Sequence, residues 1–432
     1  MKKIIIGKKI HKLCKLLWPL NRSITGNDTL KSLKILGKDL KGFKIHKIKS
    51  GSKVFNWTIP DEWNIKEGWI KNKKGTKILD FRNNNLHIMS YSAPIRKKIT
   101  YQKLKSKIFS IPNQPRAIPY VTSYYEKNWG FCMSHNQKKK LRKDDVFDIF
   151  INSKFSKGHL NYGELFIKGK SSQEILLSSY VCHPSLANNE LSGPTVLNFL
   201  SKWLLKRTNK YSYRIVFVPE TIGSITFISK NLKKLKKNVI AGYNLTCLGD
   251  ERTYSYLPSR NGDTLSDKVA IHVLKHTYKK FKKFSWKDRG SDERQYCSPG
   301  VDLPIASIMR SKYGEYPEYH TSLDNLKNVV TPKGLEGGYN ILKSAIEAIE
   351  NNCYFFAKNF CEPQLSKKRL IRSINGKKGN DKDVKIMLEI LTWADGKNSL
   401  LEVAEKSDLP IWDFYYYLNV LKKNRLIEIK NK

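Results

Sequence analysis

Three stretches of this 432-residue chain carry side chains that could do chemistry, two of them where apolar runs end. In Tyr180–Pro194 (YVCHPSLANNELSGP), an apolar strand delivers His183 into a loop, with Asn189 and Glu190 six and seven residues later. Imidazole and carboxylate ligands with an open position for water are what a catalytic zinc site needs. A strand-end histidine that only packs is the plain alternative. In VFVPETIGSI, Glu220 closes a second apolar run. A carboxylate beside a metal can act as general base towards bound water, or it can simply cap the next helix. In GEYPEYHTSLDNL, His320 is followed by Asp324. A carboxylate often holds a ligating imidazole in place, although the same spacing suits a loop histidine beside a helix cap. A fourth stretch, DRGSDERQYCSPGVDLP, carries Asp292, Glu293 and Arg294, a charged loop that can bind a substrate terminus or stay solvated. His272 and His276 share a helix face at i, i+4, but the glutamate of HExxH is missing, so they read as a solvated or packed face.

These residues need a scaffold. From residue 172 onward strands and helices alternate: EILLSSYVCH, a helix over 193–206, YRIVFVPE, a helix over 225–236, VIAGYNLTCLG, a helix over 266–281, LPIASIMRS, and a helix over 335–350. That alternation predicts an α/β fold with a mostly parallel, doubly wound sheet. Ligands bind such sheets beyond the C-terminal strand ends, where His183, Glu220 and the loop after LPIASIMRS fall. Residues 1–40 read as two helices broken at Asn21–Gly26 (NRSITG). The first is basic and amphipathic, suited to docking on the main domain or to lying on a membrane surface. Residues 44–110 hold short runs such as KVFNWTI and LHIMSYS between Pro, Gly and Asn, which reads as a small β-rich domain. Residues 366–382 (SKKRLIRSINGKKGNDK) are a basic linker, and 383–432 outline a winged helix of three helices and a short strand pair.

HPSLANNELSGP, PETIGS, GSDERQYCSPG and YHTSLDN together resemble the aminopeptidase-like proteins of bacterial surface-polysaccharide loci, relatives of di-zinc aminopeptidases. KVFNWTIPDEW resembles that family's inserted β domain. The resemblance implies an aminopeptidase-type domain from 1–43 and 111–365, an inserted β domain at 44–110, and the winged helix. It also implies that His183 and His320 are metal ligands, that Glu220 is the base, and that Asn189 and Tyr319 meet the substrate. Three positions depart from the di-zinc pattern: Asn189 replaces a bridging Asp, Thr221 the second carboxylate of a Glu pair, and Thr246 a strand-end Asp. Few charges hold two hard dications weakly. The expectation is therefore one zinc ion, held by His183, His320 and a carboxylate such as Glu190.

Composition bounds the partners. Net charge is +42, with lysines scattered along the whole chain. Codon bias or an anionic partner explains it, and either way the charge predicts salt-sensitive adhesion to polyanions. Seven cysteines without a CxxC suit a reducing, cytoplasmic location. No 18-residue uncharged apolar run is present, so no transmembrane helix is expected. The expected function is metal-dependent amide hydrolysis of a peptide or an amide-bearing sugar. The alternative is a non-catalytic binding protein whose winged helix contacts a protein or, second, nucleic acid. A homo-oligomer is compatible with either.

Overall fold

The computed structural model describes residues 4–142, 144–278, 280–368, 370 and 382–430. The chain divides into two compact units: Met1–Asp267 with Phe281–Asn340, and Lys268–Lys280 with Ile341–Lys432.

The first unit is built on an eight-stranded sheet. Its order is Lys44–Lys49, His159–Ile167, Ser212–Val218, Glu174–Tyr180, Val239–Asn244, Ile305–Met309, Ser255–Leu257 and Lys282–Lys283. The four strands from Ser212–Val218 to Ile305–Met309 run parallel, and antiparallel strands extend them on both sides. Glu174–Tyr180 and Ser212–Val218 are buried at every position, as a parallel sheet covered on both faces requires. The chain leaves Glu174–Tyr180 for a neighbour on one side, then crosses to Val239–Asn244 on the other. That reversal opens a crevice at the C-terminal strand ends, and His183 and Glu220 lie just beyond those ends.

Lys44–Lys49 belongs to the large sheet, not to the inserted β domain expected from residue 44. Its alternating KIHKIK pattern suits an edge strand, where exposed lysines discourage further pairing. The smaller antiparallel sheet orders Lys77–Asp80, Glu62–Lys71, Val146–Ser156 and Ile95–Thr100, so it recruits a strand well past the expected boundary at 110. It packs its own core of Ile70, Leu79, Ile99, Phe131, Phe147 and Ile149.

The helix Ile6–Leu17 is docked. Ile10, Cys14 and Leu17 are buried, and the Cys14 thiol lies 3.2 Å from the Thr195 hydroxyl on the helix Ser192–Leu204. The break after it needs Gly26: φ is +103°, and a Cβ there would meet the Trp63 carbonyl at 2.4 Å. No described helix is long and apolar enough to cross a membrane.

The second unit carries a three-stranded antiparallel sheet, Asp395–Ser399, Tyr354–Ala357 and Ile427–Lys430, with helices Lys382–Thr392, Leu400–Lys406 and Ile411–Lys423. This is the expected winged-helix order with one addition. The central strand comes from residues 354–357, because Phe355 closes the module's core. Most of the expected linker lies outside the described residues. His272 is packed rather than solvated: its Nε2 accepts the Ile411 N–H at 2.9 Å and its Nδ1 faces Glu405.

Candidate metal centre

His183 follows the strand Glu174–Tyr180 by three residues and is fixed from behind. Nδ1 lies 2.8 Å from Oε2 of Glu190. Glu190 comes from a π-helical turn, Ala187–Leu191, of a kind often found at functional sites. Arg22, fully buried, donates through Nε to the His183 carbonyl at 3.1 Å and stands 3.4 Å from Oε1 of Glu190. The Arg22–Glu190–His183 chain leaves Nε2 of His183 to face Glu220, whose Oε2 is 3.6 Å away. Burial alone would lower the pKa of His183. The hydrogen bond and charge of Glu190, with the charge of Glu220, outweigh it and hold the imidazole above its usual range.

Glu220 stands on a strained corner. Thr221 has φ +64° and ψ −78°, and the Ile222 N–H donates to the Glu220 carbonyl at 2.8 Å. This is a γ-turn of the rare positive-φ kind. Ser185, Cys247 and His320 also have positive φ, and such strain collects where structure serves a site. The Ser291 hydroxyl donates to Oε1 of Glu220 at 2.8 Å, and the Glu220 N–H points at the Cys182 sulfur, 3.2 Å away. Burial raises the Glu220 pKa above the ordinary carboxylate range, with partial relief from His183.

His320 completes the group. Its ring centroid is 5.6 Å from that of His183, and Tyr120 packs against both, at 5.1 Å and 5.3 Å. Tyr319 stacks on His320 at 3.9 Å. Burial, then the charge of His183, pull the His320 pKa down to about 3, so its ring is neutral. Its Nε2 is buried without a hydrogen-bond partner. An unpartnered buried polar atom is costly.

The other expected residues divide. Asn189 has a buried, unpartnered Oδ1, while its carbonyl accepts from the Tyr180 and Thr246 hydroxyls at 2.7 and 2.9 Å. Thr246 is thereby committed to a hydrogen-bonded cluster. Asp324 does not hold His320. It accepts from the Asn188 and Asn189 N–H groups and from Tyr316, tying the two site loops together. Asp292 and Glu293 are fully buried supports. Asp292 accepts from the Thr221 N–H and the Ser224 hydroxyl, and burial with the charge of Glu220 pushes its carboxyl up to about 8. Glu293 accepts from Gly290, Ser291, Tyr313 and Asn244. Only Arg294 is exposed, with a bond to the Thr221 hydroxyl.

Arg22, Tyr120 and Ser291 escaped the sequence reading. Arg22 carried one usable signal: it is the only arginine in the first 81 residues of a lysine-rich segment, set in a polar break. A guanidinium binds a buried carboxylate better than an ammonium does.

Residues 11–352 match the family model described as a domain of unknown function (DUF4910), and residues 353–429 match a winged helix-turn-helix model. The chain belongs to the DUF4910 family. A Clostridium acetobutylicum member, provisionally named a polysaccharide biosynthesis protein with aminopeptidase-like domain, is 43% identical over 424 residues, covering 98% of this chain and 96% of that one. A crystal structure of a C. acetobutylicum protein, provisionally named a peptidase, superposes with a TM-score of 0.92 at 42% identity, covering 98% and 97% of the two chains. A zinc aminopeptidase from Bacillus subtilis shares the fold at a TM-score of 0.59 and 14% identity, covering 79% of this chain and 94% of that one. The DUF4910 chain is thus a mixed α/β protein of zinc-aminopeptidase fold with a C-terminal winged helix.

The donor set suits the ion that this fold implies. Nε2 of His183 and Nε2 of His320 are atom types zinc takes, and the Glu220 carboxylate stands 3.6 Å from the former. Among the described residues, the donor trio around His183 that lies within 4.8 Å is instead Cys182, His183 and Glu190. There Glu190 is engaged by Arg22 and His183, and burial raises the Cys182 thiol well above its usual range.

Proposed function

We propose that this DUF4910 protein is a metal-dependent amide hydrolase using one zinc-class ion, with His183 and His320 as ligands and Glu220 as base. The observation that carries the reading is the convergence of His183 and His320, 137 positions apart in sequence, with ring centroids 5.6 Å apart beside the half-buried Glu220 carboxylate. A bound zinc ion supplies Lewis acidity to a water and to the substrate carbonyl.

The chain's own residues do the rest. The Glu190–Arg22 pair fixes His183 as the Nδ1–H tautomer, which leaves the Nε2 lone pair free. Burial keeps His320 neutral, the form a metal ligand needs. Ser291 anchors one oxygen of Glu220, and the raised pKa suits that carboxylate to accept a proton and return it to the leaving amine. Glu190 is assigned to positioning rather than ligation, because Oε2 bonds Nδ1 of His183 and Oε1, though without a hydrogen bond, is ion-paired with Arg22 at 3.4 Å. Asn189, with its free Oδ1, is the candidate third donor. Tyr319 and Arg294 remain the candidate substrate contacts. Asn189, Thr221 and Thr246 in place of three carboxylates argue for one ion, not two.

The name of the Clostridium relative and the amide chemistry together favour an amide on a surface-sugar precursor over a peptide. Seven cysteines without a CxxC suit the cytoplasm. The winged helix is assigned to protein contact, since Tyr416 is 70% exposed on the aromatic helix Ile411–Lys423.

Zinc content and amidase turnover should be measured for the wild type and Glu220→Gln. The expected result is bound metal in both and a loss of about 10²- to 10⁴-fold in turnover for the variant. If neither form holds metal nor turns over, the hydrolase reading fails. The non-catalytic alternative, in which the three replacements mark a degenerate pocket, then takes its place.

A further inference from the structure

A cleft of about 640 Å³ opens where the small sheet meets the loop after Pro119. Ligand sites commonly span roughly 300–1,000 Å³. Its walls are aromatic: Tyr91, Tyr124, Tyr125 and Phe155. Tyr91 and Tyr124 meet edge to face at 5.2 Å, as do Tyr91 and Phe155 at 5.8 Å. Tyr125 is 56% exposed and Phe155 36%, so two rings present surface to the cleft mouth. The rim is charged with both signs, by Asp61, Glu126 and Lys154.

The cleft backs onto the candidate metal centre through two tyrosines. The Tyr124 hydroxyl lies 2.5 Å from the Tyr120 hydroxyl, and the Tyr120 ring is the one that packs on His183 and His320. A ligand seated in the cleft is therefore separated from the two imidazoles by a pair of bonded tyrosines.

We propose that this cleft binds a pyranose unit of the substrate, next to the amide held at the His183–His320 pair. One face of a pyranose is a row of C–H groups, which packs on an aromatic ring as other apolar surface does. Its edge is a row of hydroxyls, which donate to carboxylates and accept from lysines. The cleft offers ring faces inside and Asp61, Glu126 and Lys154 at the edge, matching that two-sided chemistry. Asp61 is already paired with Lys157 at 2.7 Å, but an aliphatic peptide side chain would use the rings and make no polar contact with the exposed Glu126 and Lys154. The inference rests on the hydrolase reading for where the amide lies, and on the cleft's own residues for the sugar.

Saturation-transfer NMR and calorimetric titration of the full chain, with N,N′-diacetylchitobiose and leucyl-glycine as probes, test it. The variants are Tyr125→Ala and Phe155→Ala, whose exposed rings can be removed without opening a core, and Glu220→Gln. The disaccharide should bind the wild type and Glu220→Gln alike, and about tenfold more weakly in either ring variant. Undiminished disaccharide binding in both ring variants overturns the proposal, as does binding of the dipeptide alone, or of neither probe. Ring-dependent disaccharide binding in a protein without amidase turnover would sink the hydrolase reading and leave the cleft assignment standing. Turnover without disaccharide binding would do the reverse.

Discussion

Glu190 presents Oε2 to Nδ1 of His183 at 2.8 Å, with both residues buried. The pair is balanced by Arg22, also buried, which makes the three side chains one electrostatic unit. Removing one partner of a buried ion pair typically costs about 3–5 kcal/mol, while replacing both with apolar groups of similar volume is often neutral. Glu190→Gln should therefore lower unfolding stability by roughly that amount, and Arg22→Met combined with Glu190→Gln should recover much of it. Urea denaturation gives both values. Metal affinity should fall about 10- to 100-fold in the single variant, because His183 loses its orienting carboxylate. A single variant as stable as the wild type would mean that the unit carries no net interaction.

Thr221 offers the opposite trade. Its positive φ holds Glu220 at the pocket, and strain of this kind costs of order 1–3 kcal/mol. Thr221→Gly relieves it at the expense of some backbone entropy and of the Arg294 hydrogen bond. The expected outcome is a gain of about 1 kcal/mol in stability with a loss of amidase turnover, since Glu220 is then free to swing. Melting curves and turnover on the same preparations decide it. A variant less stable than the wild type would show that the corner is not strained.

What the sequence disclosed follows from locality. His183 and Glu220 were legible because each ends an apolar run, and the strand–helix alternation says where those ends collect. Tyr120 has no local mark, and the isolated arginine at 22 does not say what it reaches: His183, 161 positions away. Spacing alone points to Asp324 as a support for His320, yet it accepts N–H groups from Asn188 and Asn189, on a distant loop. Lys44–Lys49 looked like part of the inserted β domain because a lysine-rich edge strand has the same pattern in either sheet. The winged helix was legible in its helices but not in its central strand, Tyr354–Ala357, which lies before the linker in sequence.

The Asp324 carboxyl has a pH signature. Burial pushes it up to about 6 from an ordinary value near 4. Between about pH 4 and pH 6 the folded protein therefore binds more protons at this residue than the unfolded chain does. Stability from this group is fully present below pH 4 and is lost as pH rises through 6. Asp324→Asn removes that dependence. Relative to the variant, the wild type should lose up to about 3 kcal/mol across the window and change no further above it. Chemical denaturation of both at several pH values measures the difference. A constant difference would mean that Asp324 stays ionised throughout.

The charge of +42 makes a prediction about where polyanions bind. A winged helix that read duplex DNA would concentrate its effect on one helix in the groove. Here Ile411–Lys423 ends in Lys422 and Lys423, both exposed, but exposed lysines such as Lys233 and Lys237 stand on the other compact unit too. If binding is simple counterion release, each lost cation weakens it by a similar factor wherever it stands. Lys422→Glu with Lys423→Glu should then reduce low-salt duplex binding about as much as Lys233→Glu with Lys237→Glu, and binding should vanish near about 0.2 M salt. Fluorescence anisotropy with two unrelated duplexes gives the comparison. A large effect confined to the Lys422–Lys423 pair, or affinity for one duplex that survives at high salt, would instead assign the winged helix to DNA.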